Sequence, residues 1–346
     1  MPEYPLPQEG RSDSERARSA GVEDAGGCQR RQRTAIPLDP PSSGRGKTSN
    51  VTGILLLDKP SGISSNRALQ QAKRLFGAAK AGHTGSLDPL ATGLLPVCFG
   101  EATKIAGYLL GARKAYAAEC QLGVTTDTCD SDGAVLAERP VPALDDAAIR
   151  DALKRFTGRI TQIPPVYSAL KQGGVPLYKR ARRGEAVEAP PREVEVFRFG
   201  LLQREGNTLR LHVECGSGTY VRSLVRDLGE ALGCGAHMTA LRRLWVEPFR
   251  EPRMFTLDEL AALREQGADA LARTLLPIEA GLVDWPVLHL DELEANAVAR
   301  GRVVRVDAKP GRCRAEAPSG RLLAIGEVDA TGAFSVLRGF VTSNPL

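Results

Sequence analysis

At 346 residues, 42% hydrophobic and 25% charged, the chain has room for about two domains and a sizeable core, which excludes a wholly disordered or fibrous protein. Its net charge of +5 is a modest excess, so the placement of charge matters more than its amount. The seven cysteines form no C-x-x-C and no close pair, which excludes a zinc ribbon or disulfide scaffold and leaves reduced structural thiols.

Residues 1–50 hold six prolines, six glycines and only four residues from Leu, Ile, Val and Phe, too little apolar surface to offset the entropy of ordering. With eight bases against seven acids they read as a solvated, disordered tail. They lack a signal pattern, and no apolar run in the chain reaches membrane-spanning length, so a cytoplasmic protein without membrane association is expected. Order begins at residues 52–57, a short apolar run that predicts a buried strand. After the turn Asp58-Lys59-Pro60-Ser61-Gly62, Ser64 or Ser65 caps a helix with Leu69, Ala72 and Phe76 on its apolar face.

The next stretch, His83-Thr84-Gly85-Ser86-Leu87-Asp88-Pro89-Leu90-Ala91-Thr92-Gly93, is too rich in breakers for a regular helix or central strand. It predicts a shaped loop, the usual seat of reactive groups. No acid lies between Lys59 and Leu87, whereas Lys59, Arg67, Lys73, Arg74 and Lys80 supply five positive charges. Such surroundings favour an ionised Asp88, a nucleophile or ion-pair partner; an ordinary Asp-Pro turn is the alternative.

Residues 94–99 then predict a second strand and 101–110 a helix. Alternation over 114–122 puts Tyr116, Ala118, Cys120 and Leu122 on one strand face. Asp127, Asp130 and Asp132 miss the calcium-loop spacing, and residues 125–133 read as a hairpin connection. A helix is expected over 145–156. Between Ala152 and Gly184 eight bases face no acid, with Phe156, Tyr167 and Tyr178 interleaved, a pattern suited to phosphates and unstacked bases. Strands at 193–199 and 208–214 lead to Gly216-Ser217-Gly218 and a helix capped near Thr219 that carries Arg222 in its first turn. Arg242 and Arg243 follow in a strand, and Thr256 with Glu259 forms a capping box. Beyond a loose junction at 277–286, one helix and short glycine-punctuated strands predict a small β-barrel module.

Seven blocks in this order, GILLLDKPSGISSN, GHTGSLDPLATGLLP, GEATK, KAYAAECQLG, PPVYSALK, GSGTYVRSLVRDLGE and GCGAHMTALRRL, resemble the TruB-type bacterial tRNA pseudouridine synthases. The resemblance runs from about Thr52 to Pro248 and more faintly to the C-terminus. It implies an α+β fold with a mixed, largely antiparallel central sheet and a small C-terminal PUA-like β-barrel module. The implied division is a disordered extension at 1–50, a catalytic domain at 51–280 and an RNA-binding module at 281–346. The implied reaction isomerises uridine-55 in the tRNA T-loop after base flipping, without cofactor, metal or obligate protein partner. Asp88 matches the family's catalytic aspartate, Arg222 its basic partner, and Tyr116 the tyrosine that stacks on the base and has been proposed as a base at C5. His83, Tyr220 and Leu241 match positions lining the flipped nucleotide's pocket. Lys59 and Lys104, from two further blocks, are expected on the substrate-binding side. Two other classes are weighed against this: an RNA-folding factor without catalysis, and a metal-dependent hydrolase using His83 and Asp88.

Overall fold

A computed structural model of the chain describes residues 51–341 apart from Ala169; the expected tail at 1–50 lies outside the described residues. The first apolar run forms β1 (Gly53–Lys59). Helix α1 (Ser65–Phe76) is capped by the Ser64 hydroxyl, which accepts from the Arg67 N–H, and ends on Gly77 at φ 61°. β2 (Ala81–His83) and β3 (Thr92–Phe99) flank the Asp88 loop. β3 starts two residues earlier than expected, because Gly93 joins the ladder opposite Lys59 and Arg243. Glycine is required there: its φ is +95°, and a Cβ would lie 2.3 Å from the Arg243 carbonyl oxygen. The single helix expected over 101–110 is split into a 3-10 turn (Gly100–Lys104) and a short α2 (Ala106–Leu109). The break falls at buried Ile105, whose N–H bonds back three residues to Ala102, and Gly107 and Gly111 weaken a longer helix.

β4 (Lys114–Leu122) precedes the hairpin of β5 (Val124–Thr126) and β6 (Val135–Glu138); the expected hairpin connection is present, but it spans 127–134, with Thr125 and Thr126 paired in β5. Then come α3 (Asp146–Lys154), β7 (Gly158–Gln162), a ribbon of β8 (Lys171–Gln172) and β9 (Val175–Pro176), and α4 (Leu177–Ala181). The long hairpin of β10 (Arg192–Glu205) and β11 (Thr208–Cys215) leads into α5 (Val221–Ala231) and β12 (Ala236–Val246). α6 (Leu257–Glu265) carries the expected Thr256–Glu259 capping box; α7 (Ala268–Ala272) and β13 (Leu275–Leu276) follow. The C-terminal part comprises β14 (Val287–His289), α8 (Glu292–Ala299), β15 (Val304–Arg305), β16 (Gly311–Glu316), β17 (Leu322–Val328) and β18 (Ala333–Gly339).

The main sheet runs β13-β1-β3-β12-β4-β11-β10-β7, with β2 added to β3. Every pairing is antiparallel except that of β12 with β3, which gives the mixed, largely antiparallel α+β fold. That parallel seam sets the Asp88 loop, which feeds β3, beside Tyr116 on β4 and Arg243 on β12. Leu224, Val225 and Leu228 of α5 are fully buried with Leu209, Leu211 and Val213 of β11, each such side chain contributing about 1.5–3 kcal/mol. The second sheet, β14-β16-β17-β18-β15, forms the PUA-like module. Its Leu322, Ile325 and Phe340 share one core with Ile54, Leu94 and Ile105. Six cysteines among the described residues are buried and free, and no described helix is long and apolar enough to cross a membrane.

Candidate active site

The Asp88 loop is strapped from three directions. Ser65, one residue past the α1 cap, accepts from the Leu87 N–H at 2.7 Å and donates to its carbonyl at 3.0 Å. Arg243 donates from Nε to the Leu94 carbonyl at 2.6 Å and from Nη2 to that of Gly85 at 3.1 Å. Lys59 donates to the carbonyls of Pro60 and Ile63 at 2.7 Å and of Pro89 at 3.2 Å. Expected on the substrate side, Lys59 is instead fully buried, and burial pulls its pKa down to about 8. Lys59→Met is expected to cost about 1–3 kcal/mol, because buried carbonyls lose their donor. A melting temperature equal to that of the native protein would show that other donors replace it.

Asp88 meets Arg222 at 2.9 Å between Oδ2 and Nη2. The same guanidinium reaches Asp130 Oδ2 at 3.3 Å from Nη1 and donates to the carbonyls of Thr128 at 2.9 Å and Tyr167 at 3.0 Å. Arg222 keeps 4% of its side-chain surface exposed and Asp130 6%, whereas Asp88 keeps 38%. The fixed pair therefore lies behind, and the carboxylate with room to react lies in front. Burial pushes the Asp88 carboxyl above its ordinary range; the Arg222 charge opposes this, and the Asp130 charge adds to it. The cations upstream do less than the sequence implied: Lys59 favours the anion, but ranks behind Arg222.

Asp88 and Arg222 border two cavities. One, of about 290 Å³, is also lined by Tyr116, Tyr220, Leu241 and Lys114. Tyr116 is a buried neutral phenol, its pKa pushed up to about 12 by burial. Burial pulls Lys114 down to about 8, with Arg243 adding to the shift. Tyr220 stands at the start of α5, where Gln162 accepts from its N–H at 2.8 Å and donates to its carbonyl at 3.1 Å. The second cavity, of about 720 Å³, is bordered by His83, Asp130, Tyr167 and Tyr178. Burial and Arg243 lower the His83 pKa, and its Nδ1 accepts from the Gly85 N–H at 3.4 Å, which fits a neutral ring.

Six of the eight residues singled out in the sequence thus border these cavities: Asp88, Tyr116, Arg222, Tyr220, Leu241 and His83. Lys104 does not; it bonds the Glu101 carboxylate at 2.6 Å and the Gly339 carbonyl at 2.7 Å, joining the catalytic sheet to the C-terminal module. Sequence reasoning missed Asp130 and Arg243. Asp130 sits in a polar hairpin loop beside Cys129, which adopts φ 61°, a backbone state that a sequence does not announce. Among the described residues no three potential ligands gather to hold a metal ion.

Comparison with known proteins agrees with this fold. The profile of the TruB family pseudouridylate synthase N-terminal domain matches residues 73–221, and that of the tRNA pseudouridylate synthase B C-terminal domain matches 222–283. A relative from Xanthomonas campestris pv. campestris (strain B100), described as tRNA pseudouridine synthase B, is 61% identical over 289 residues, covering 83% of this chain and 94% of its own. A solved Cbf5-Nop10-Gar1 complex gives a TM-score of 0.66 at 26% identity, covering 84% of this chain and 86% of that one. A solved H/ACA RNP bound to a substrate RNA containing 2'-deoxyuridine also gives 0.66, at 25% identity, over 84% and 85% of the two chains. Matched along both family domains and by a relative this similar over nearly all of its length, the chain belongs to the TruB family of tRNA pseudouridine synthases, which are isomerases.

Proposed function

We propose that this chain converts uridine-55 of the tRNA T-loop into pseudouridine, with Asp88 as the reacting carboxylate. The carrying observation is the partly open Asp88 carboxylate, held at 2.9 Å by a buried arginine on the border of a cavity. The reaction breaks C1′–N1, turns the uracil and joins C5 to C1′, so the C5 proton is lost while N1 gains one. A carboxylate serves this by attacking C1′ or C6, or by assisting loss of a 2′ proton. A stacked base cannot reach a recessed carboxylate, so the nucleotide is flipped out at roughly a few kcal/mol. Stacking on Tyr116 returns about 1–3 kcal/mol. Burial holds the Tyr116 phenol in its neutral form, which favours stacking over proton abstraction as its role.

The deciding experiment is tritium release from C5-labelled uridine in a tRNA transcript. Release with loss of label at position 55 supports the reading; none, with RNA remodelling intact, supports a folding factor instead. The acid limb supplies a further check. Asp88 acts as the anion and its folded pKa lies above the ordinary 3.8, so activity falls as pH drops through that raised value. Asp130→Asn removes a negative neighbour, which lowers the Asp88 pKa and moves the limb to lower pH, along with reduced turnover from a less firmly held Arg222. A limb that stays in place or moves upward in single-turnover profiles would contradict this coupling.

A further inference from the structure

The cavity holding Asp88 has a further cation on its wall that the chemistry above leaves unused. Arg192, the first residue of β10, lines the same cavity as Asp88 and Tyr116. Among the described residues it has no carboxylate partner. Its Nε is buried without a hydrogen-bond partner, and its Nη2 donates to the Gly218 carbonyl. A guanidinium offers five N–H donors and cannot be deprotonated in proteins, so this one retains unused binding capacity.

It is also held in place. The guanidinium carbon lies 4.8 Å from the centroid of the Tyr220 ring, a cation–π contact. Tyr220 is fixed in turn by Gln162, which is 1% exposed and bonds both its backbone N–H and carbonyl. Gln162 is the register partner of Arg192 across β7 and β10, so one pair of strands positions the cation and its platform. Gly218 completes the cradle: it adopts φ +85°, and a Cβ there would rest 3.6 Å from the guanidinium carbon. The side chain is half-buried, and the residue borders the cavity.

A nucleotide whose base enters this cavity keeps both of its phosphodiesters outside, where the strand continues. From this we propose that Arg192 is a phosphate-binding residue that grips a phosphodiester adjoining the target uridine. The planar fork suits a phosphate, and the tyrosine platform reduces the entropy lost on pairing. This inference rests on the reading of the cavity as the uridine pocket.

The test uses T-stem-loop RNAs in which one linkage next to the target uridine at a time carries an uncharged methylphosphonate. Binding and single-turnover product formation are both measured with the native full chain, Arg192→Gln and Arg192→Lys. With the native protein, neutralising one of these linkages should weaken binding about tenfold, the scale of a charge-assisted contact. Arg192→Gln should bind unmodified RNA about tenfold more weakly and lose less than about twofold more at that linkage. Arg192→Lys should retain part of the linkage dependence, since charge survives without the fork, and it guards against a mere folding defect. Equal losses at every linkage in native protein and Arg192→Gln would overturn the contact. A linkage dependence in binding, with no pseudouridine from the native protein, would uphold the contact and overturn the reaction assigned above.

Discussion

Asp88→Asn should yield no detectable pseudouridine, a fall of at least about 10⁴-fold, on the scale seen when a reacting side chain is removed. The substitution takes away the negative charge and the nucleophilic oxygen but little else. The straps that shape the loop run from Ser65, Arg243 and Lys59 to backbone groups, and none uses the Asp88 side chain. The Asn amide oxygen still accepts from Arg222, so the folded structure should persist. Affinity for tRNA should stay within a few-fold of native, because phosphate contacts dominate it. Isomerisation leaves the mass unchanged, so the readout is C5 tritium release or a pseudouridine-specific adduct. Robust product from a folded Asp88→Asn protein would remove Asp88 from the chemistry and restore the plain Asp-Pro turn.

Arg222→Ala should have the next largest effect, because one guanidinium serves two carboxylates. Without it, Asp88 and buried Asp130 face each other with no cation between them, and the carbonyls of Thr128 and Tyr167 lose their donors. Breaking a buried ion pair from one side costs about 3–5 kcal/mol, so a clear loss of stability is expected. Turnover should drop by roughly 10²–10³-fold, since a neighbouring negative charge and burial both raise the Asp88 pKa and deplete the anion. Arg222→Lys should recover part of this, as charge survives without the fork. The combination Arg222→Ala with Asp130→Asn separates the two effects. It should regain a good part of the stability, the buried charge being gone, and little of the activity. If the double variant recovers activity along with stability, Arg222 acts only through the fold.

Much of this arrangement was legible in the residues. The apolar run of β1, the Ser64 and Thr256 caps, the alternation of β4 and the breaker-rich Asp88 loop each carry a local signal. What was hidden depends on contacts distant in sequence. Asp130 lies in a polar hairpin, and nothing local reveals that a helix from another part of the chain will bring Arg222 against it. Lys59 read as a cation on the substrate side and Arg243 only as part of a strand, yet both are buried with their donors on backbone carbonyls of Ile63 and Leu94. The ionisation of Asp88 was read from the charges nearby in sequence, whereas burial outweighs them in the folded chain. The parallel seam of β12 with β3 has no local signature at all, since strand pairing depends on which segments meet.

Lys104 and Glu101 clasp Gly339 and Val341, and the shared core of Leu322, Ile325 and Phe340 with Ile54 continues that seam inward. A joint filled with side chains and pinned at its rim does not work as a hinge. The span from Asp88 to the outer strands of the C-terminal sheet is therefore a fixed gauge. An RNA that touched both ends would have to match that length or bend to it, and the deformation would fall on the nucleic acid.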